Sequence, residues 1–98
     1  MIQITLLIYI FEGKEEVFHQ FENLAIPIIS KYNGKLNLRI RPNNESVVES
    51  NIEKPYEIHF VEFNSKEDFE DFKKDEERKS FLHLKDQSIR KIVMIEGA

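Results

Sequence analysis

Three histidines, a pair of arginines at positions 39 and 41 and a complete lack of cysteine bound the chemistry open to this chain. Without a thiol there is no cysteine nucleophile, no thiolate zinc site and no disulfide framework. The most informative histidine is His59, in the middle of an extended run at 56–63. An imidazole beside a tyrosine and a guanidinium could act as general base toward a bound organic acid, whereas a histidine hydrogen-bonded within a mixed core would do no chemistry. Its neighbours depend on the face it occupies. Facing the helices, it could share a cleft with Tyr32 or with the neighbours of Glu62; on the other face it would lie near Tyr9 and Arg39.

Arg39 and Arg41 leave one face of a strand together, and guanidinium groups there suit either a carboxylate or phosphate anchor, or an edge guard or inter-subunit ion pair. Arg39, Tyr9 and Tyr32 are the candidate ligand contacts. Glu16-x-x-His19 has the i,i+3 spacing of carboxylate metal sites, but it falls in exposed first turns and has no second copy, so it reads as a solvated pair and no metal is expected. No cofactor is expected either. His83 lies in a charged helix and reads as surface.

These side chains hang on a regular succession of elements. Residues 2–11 form a first strand with apolar groups on both faces, Ile2, Ile4, Leu6, Ile8 and Ile10 on one and Leu7, Tyr9 and Phe11 on the other, which calls for cover on both sides. The period then changes: Val17, Phe18, Phe21, Leu24, Ala25, Ile28, Ile29 and Tyr32 make a single stripe on a helix of about 19 residues, with Glu15 and Glu16 in its first turn and Asn33-Gly34 closing it. Pro27 falls inside that helix, which predicts a kink between Asn23 and Pro27.

Residues 35–41 alternate, which predicts a strand with Leu36, Leu38 and Ile40 toward the core and Asn37, Arg39 and Arg41 away from it. Residues 42–55 are polar and read either as a long loop or as an irregular strand pair. A third strand at 56–63 is again apolar on both faces. Ser65 caps a following helix, with Asp68 in the capping-box position and Phe69 and Phe72 as its stripe. Of the fourteen residues from Lys66 to Lys79 twelve are charged, and their mixed signs read as a solvated helix face. A break near Asp75, a segment carrying Phe81, Leu82 and Leu84, and a last strand at 90–96 complete the chain.

Ninety-eight residues suit one domain, 1–98, with one core. Eighteen acidic against fourteen basic residues give a formal net charge of −4, and with no basic stripe interleaved with aromatics nucleic-acid binding is disfavoured. The opening apolar run is too short for a membrane span and lacks the marks of a leader, so no membrane partner and a cytoplasmic location are expected.

The order strand, helix, strand, strand, helix, strand matches the ferredoxin-like β-α-β-β-α-β motif: an α+β fold with a four-stranded antiparallel sheet of order 4-1-3-2 and both helices on one face. Strands 1 and 3 are central there, and they are the two with apolar groups on both sides. The face left bare, with Thr5, Leu7, Tyr9 and Phe11, would be covered by a second copy in a sheet-to-sheet homodimer.

The sequence resembles the dimeric α/β-barrel superfamily, and within it a small family of bacterial domains of unknown function. The resemblance spans nearly the whole chain and rests on Pro27, Gly34 and Arg39, on Glu62-Phe63-Asn64-Ser65 leading into the second helix, on the acidic break near Asp75, and on Glu96-Gly97. Asparagine stands at 64 where the pattern has proline, Phe72-Lys73 replaces an aromatic pair, and Lys85 takes the place of an arginine. The resemblance implies a dimeric barrel. It also implies two functional expectations: a domain binding a small apolar or acidic metabolite, or a cofactor-independent monooxygenase- or isomerase-like enzyme with His59 as base. Several enzymes of the superfamily rely on a tryptophan and an asparagine around the substrate; this chain has no tryptophan and offers Gln3 on its first strand.

Overall fold

The computed structural model describes residues 1–97. Its sheet has the order β2-β3-β1-β4, from β1 (Ile2–Ile10), β2 (Gly34–Ile40), β3 (Glu57–Phe63) and β4 (Ile89–Gly97), and every neighbouring pair is antiparallel. One face is covered by α1 (Glu15–Ala25), α2 (Lys66–Lys73), the single turn α3 (Glu76–Lys79) and α4 (Leu82–Ser88). This is the α+β ferredoxin-like fold, with the two doubly apolar strands in the centre. Among the described residues no helix is long and apolar enough to cross a membrane.

The core lies between sheet and helices. Ile4, Val61 and Phe63 meet Ile29 and Phe69 at one end, while Phe21, Ala25, Ile28 and Phe81 pack together between the helices. Each large side chain so buried contributes on the order of 2 kcal/mol. Ser65 caps α2 as expected, accepting the Asp68 N–H at 3.1 Å.

Two local features differ from the reading of the sequence, and a third settles one of its alternatives. Pro27 does not kink a long helix: α1 ends at Ala25 and the chain continues as a 3-10 helix, Ile26–Tyr32, with the proline in its first turn, where the missing N–H is not needed. Asn33 then closes that helix in the left-handed conformation, φ 58°. Gly34 follows because there is no room for more: a Cβ there would stand 2.6 Å from both Ile29 and Phe63.

The second difference decides the site. Leu36 stands opposite Val61, but Leu38 stands opposite Phe60, so Asn37 is an extra residue in β2, a β-bulge. The insertion reverses the alternation beyond it. Leu38 and Ile40, expected in the core, face the open side of the sheet beside Phe60 and Ile58, and Arg39, expected to point away, shares the helix-covered face with His59.

Finally, residues 42–55 form a loop with one 3-10 turn at Asn44–Ser46. The loop is tied to the end of β1 by Tyr56 N–H to the Ile8 carbonyl, 2.8 Å, and by the Tyr9 hydroxyl to the Glu53 carbonyl, 2.8 Å.

Candidate functional site

The polar residues of the helix-covered face converge on Glu57, which has no solvent exposure. Its Oε1 accepts from Arg39 Nε at 2.6 Å and from His59 Nε2 at 2.6 Å; its Oε2 accepts from Arg41 Nε at 2.6 Å and more weakly from Arg39 Nη2 at 3.4 Å. The bulge brings Arg39 here, opposite His59 in the ladder, and the i,i+2 spacing of Glu57 and His59 places both on one face of β3. Burial would push the Glu57 carboxyl up. The hydrogen bonds from His59, Arg39 and Arg41 outweigh it and hold the group down at about 2. An ionised carboxylate only accepts, so the hydrogen of this bond is carried by His59 Nε2.

A second carboxylate stands above this cluster. Glu22, on the inner face of α1 four residues after Phe18 and three before Ala25, is 5% exposed, with Oε2 3.7 Å from His59 Nε2. Burial raises its pKa to about 7; the nearby His59 opposes the rise and the Glu57 charge adds to it. Two neighbouring carboxylates are thus driven apart, one permanently ionised and the other poised near neutrality.

Glu22 and His59 both line a cavity of about 100 Å³ between sheet and helices. Phe21, Ala25, Ile29, Phe63, Phe69 and Phe72 supply much of its apolar wall, with Arg78 and Lys85 also reaching it.

Glu22, Glu57 and His59 offer ligand atoms within 4.8 Å of one another, the spacing a metal ion needs. The donor set argues against one. Both oxygens of Glu57 are engaged by guanidinium groups, and a dication would have to displace those two positive charges from the same carboxylate. The cluster is arranged for protons and guanidinium groups.

Of the residues singled out in the sequence, His59 and Arg39 are brought together. Tyr9 and Tyr32 are not brought to them. Tyr9 lies on the opposite face, 2% exposed beneath its tie to Glu53 and with the Lys91 ammonium 4.4 Å from its ring centre. The Tyr32 hydroxyl donates to Asp75 Oδ2 at 2.5 Å. Together with the Arg78 N–H and Lys31, that bond holds the Asp75 carboxyl down at about 2, which fixes the start of α3 rather than a ligand. His19 meets the Tyr56 hydroxyl at 2.7 Å, outside the cluster. Glu22, Glu57 and Arg78 escaped the sequence reading; a carboxylate inside the apolar stripe of α1 was the one available signal.

Fold and site together define a ferredoxin-like α+β domain with a partly charged cavity under its helices. No family model and no curated protein matches the chain. Among solved structures it is similar to RPA0582, a protein of unknown function from Rhodopseudomonas palustris, at 12% identity and a TM-score of 0.81 over 98% of this chain and 79% of that one. It is also similar to an uncharacterised NIPSNAP domain protein from Burkholderia xenovorans (10% identity, TM-score 0.71, 100% and 93% covered). A third likeness is to a protein from Nitrosomonas europaea provisionally named an antibiotic biosynthesis monooxygenase (8%, TM-score 0.74, 100% and 97% covered). The fold they share with this chain is the ferredoxin-like α+β fold expected from the order of its elements.

Proposed function

We propose that this chain binds a small, mainly apolar organic molecule in the cavity between sheet and helices, as a module that pairs with a second copy through the open sheet face. One observation carries the reading: a cavity of about 100 Å³ with a mainly apolar wall into which a few titratable groups, Glu22, His59, Arg78 and Lys85, also reach, the mix of apolar lining and a few polar groups found in small-molecule sites. Pairing is supported by the opposite face, where Leu38, Ile40, Phe60, Val93 and Ile95 are all more than a third exposed, an apolar patch of the kind that marks an interface.

The test is ligand-observed NMR with a panel of small aromatic and keto acids and their neutral analogues, repeated on Ala25→Leu, which fills the cavity from α1. Binding should be seen with the native chain and lost in the variant while its spectrum stays folded. Equal binding to both chains, or none to either, overturns the cavity as the site.

A second reading, a cofactor-free isomerase, is favoured by the split between the two carboxylates, since groups driven apart in this way divide acid and base roles. Ionised Glu22 would take a proton from the carbon beside a ligand carbonyl. The O–H bond forms as the C–H bond breaks, the electron pair moves into the enolate, and the Glu22 carboxyl, whose proton can exchange with solvent while it is held there, returns a proton to the other end of the enolate system, so no oxidant is consumed. His59, the base read from the sequence, has Nε2 committed to Glu57 and would steady Glu22. Deuterium exchange into a bound keto acid should vanish in Glu22→Gln with binding retained; persistence of the exchange removes Glu22 from the role.

A further inference from the structure

Arg78 reaches the cavity from α3, and its Nε is buried with no hydrogen-bond partner. The rest of the side chain is held: Nη1 donates to the Lys73 carbonyl at 3.4 Å, and the guanidinium lies 5.1 Å from the centre of the Phe72 ring. A buried charged donor without an acceptor is unfavourable, so this one is placed to donate to an acceptor from outside the chain. The nearest carboxylate of the cavity, Glu22, has its ion-pair contact with His59 instead. Lys85, from α4, stands on the same wall, and among the described residues it takes part in no ion pair.

Two unspent positive charges on a wall shared with Phe21, Phe63, Phe69 and Phe72 describe a ligand with an apolar body and an anionic head. The head is singly charged and planar. A guanidinium edge matches a carboxylate, and a dianion such as phosphate would be pressed against Glu22 and Glu57. The body is short, since about 100 Å³ is smaller than the engineered cavities of about 150 Å³ that take up benzene.

Resting on the reading of this cavity as a binding site, we propose that its ligand is a short organic monocarboxylate, held by Arg78 Nε with Lys85 as the second cation and its apolar body among the phenylalanines. The structure thereby moves the anion anchor from Arg39, whose charge is spent on Glu57, to Arg78.

Butyrate and 1-butanol share one short alkyl chain and differ in the charged head, so their affinities separate the two claims. Measured by ¹H–¹⁵N NMR titration, butyrate should bind the native chain about tenfold or more tightly than 1-butanol, the difference a charge-assisted hydrogen bond supplies. Arg78→Met, which keeps an apolar contact over Phe72, should erase the butyrate advantage and leave 1-butanol within about twofold. If the native chain binds both equally, the carboxylate assignment falls while the cavity reading stands, and this comparison needs no variant to fold. If butyrate keeps its advantage in Arg78→Met, Arg78 is not the anchor and the proposal falls. If neither compound shifts the residues around the cavity, the proposal falls together with the reading it rests on.

Discussion

On its helix-covered face the sheet carries Glu57, His59 and Arg39 with Glu22 above them, whereas its open face presents Leu38, Ile40, Phe60, Val93 and Ile95 to solvent. A lone domain would be expected to arrange these the other way round, because burying charge costs several kcal/mol per ion and exposed aliphatics gain nothing from water. The inversion separates two roles for burial. The covered face tolerates a cost that packing alone would remove, which points to use of those charges; the open face has apolar surface still to bury, which points to a partner.

The contrast can be broken most decisively at Glu57. Glu57→Ala leaves two guanidinium groups and an imidazole without their shared acceptor, and should lower stability by about 3–5 kcal/mol in urea unfolding. Because the folded-state pKa is depressed, the stabilisation is present above the ordinary carboxylate value of 4.5 and is lost as pH falls toward about 2. A loss no larger than that of an exposed glutamate such as Glu67 would mean the cluster is not the charge centre its geometry describes.

Glu22 has the opposite sign and a smaller effect. Its folded-state pKa is raised from 4.5 to about 7, so the fold carries no penalty from it below pH 4.5 and an increasing one as pH rises through 7. Burial sets that direction, with Glu57 adding to it and His59, Arg39 and Arg78 opposing. Glu22→Gln should therefore stabilise the chain at about pH 8, by on the order of 3 kcal/mol at most, and change little at about pH 4. Thermal melts at the two pH values check this; a shift of equal size at both would remove titration as the cause.

The open face gives the smallest effect on the single chain and the sharpest on assembly. Leu7→Asp puts a charge at the centre of the patch, between β3 and β4, and should abolish the proposed pairing in sedimentation while costing the monomer about 1 kcal/mol. A variant that still sediments as a dimer would place the interface elsewhere.

Much of the fold was legible because it is written in periods. Two strands apolar on both sides had to be central, the stripe from Val17 to Tyr32 had to be helical, and Ser65 and Asn33 sit at ends that match their own conformational preferences. The site was less legible because it depends on departures from period. The extra residue at Asn37 leaves the strand pattern looking uninterrupted, since Leu-x-Leu-x-Ile alternates whether or not a partner strand is in step with it. Glu22 was hidden by its neighbours, as one carboxylate on an otherwise apolar face resembles an edge position. Glu57 alternates with apolar residues as a solvent-facing glutamate would, and its burial comes from arginines that arrive from another strand. Pro27 marked a real change in the helix, but tightening to a 3-10 run and kinking are local answers to the same missing hydrogen bond.

The bulge in β2 also bears on how this chain can change by mutation. Substitutions at Arg39 or Leu38 alter one side chain at a time and leave each on its own face. Deleting a single codon at Asn37 would remove the bulge and restore regular alternation with both faces as they are, Leu38 still opposite Phe60 and Arg39 still opposite His59. Straightening the strand with Asn37 retained would instead slip everything beyond it by one residue, carrying Arg39 out to solvent and Leu38 in toward the helices. Chains descended from a common ancestor with this fold could therefore keep the charged cluster through a one-residue shortening of β2, and lose it when the bulge is lost at unchanged length.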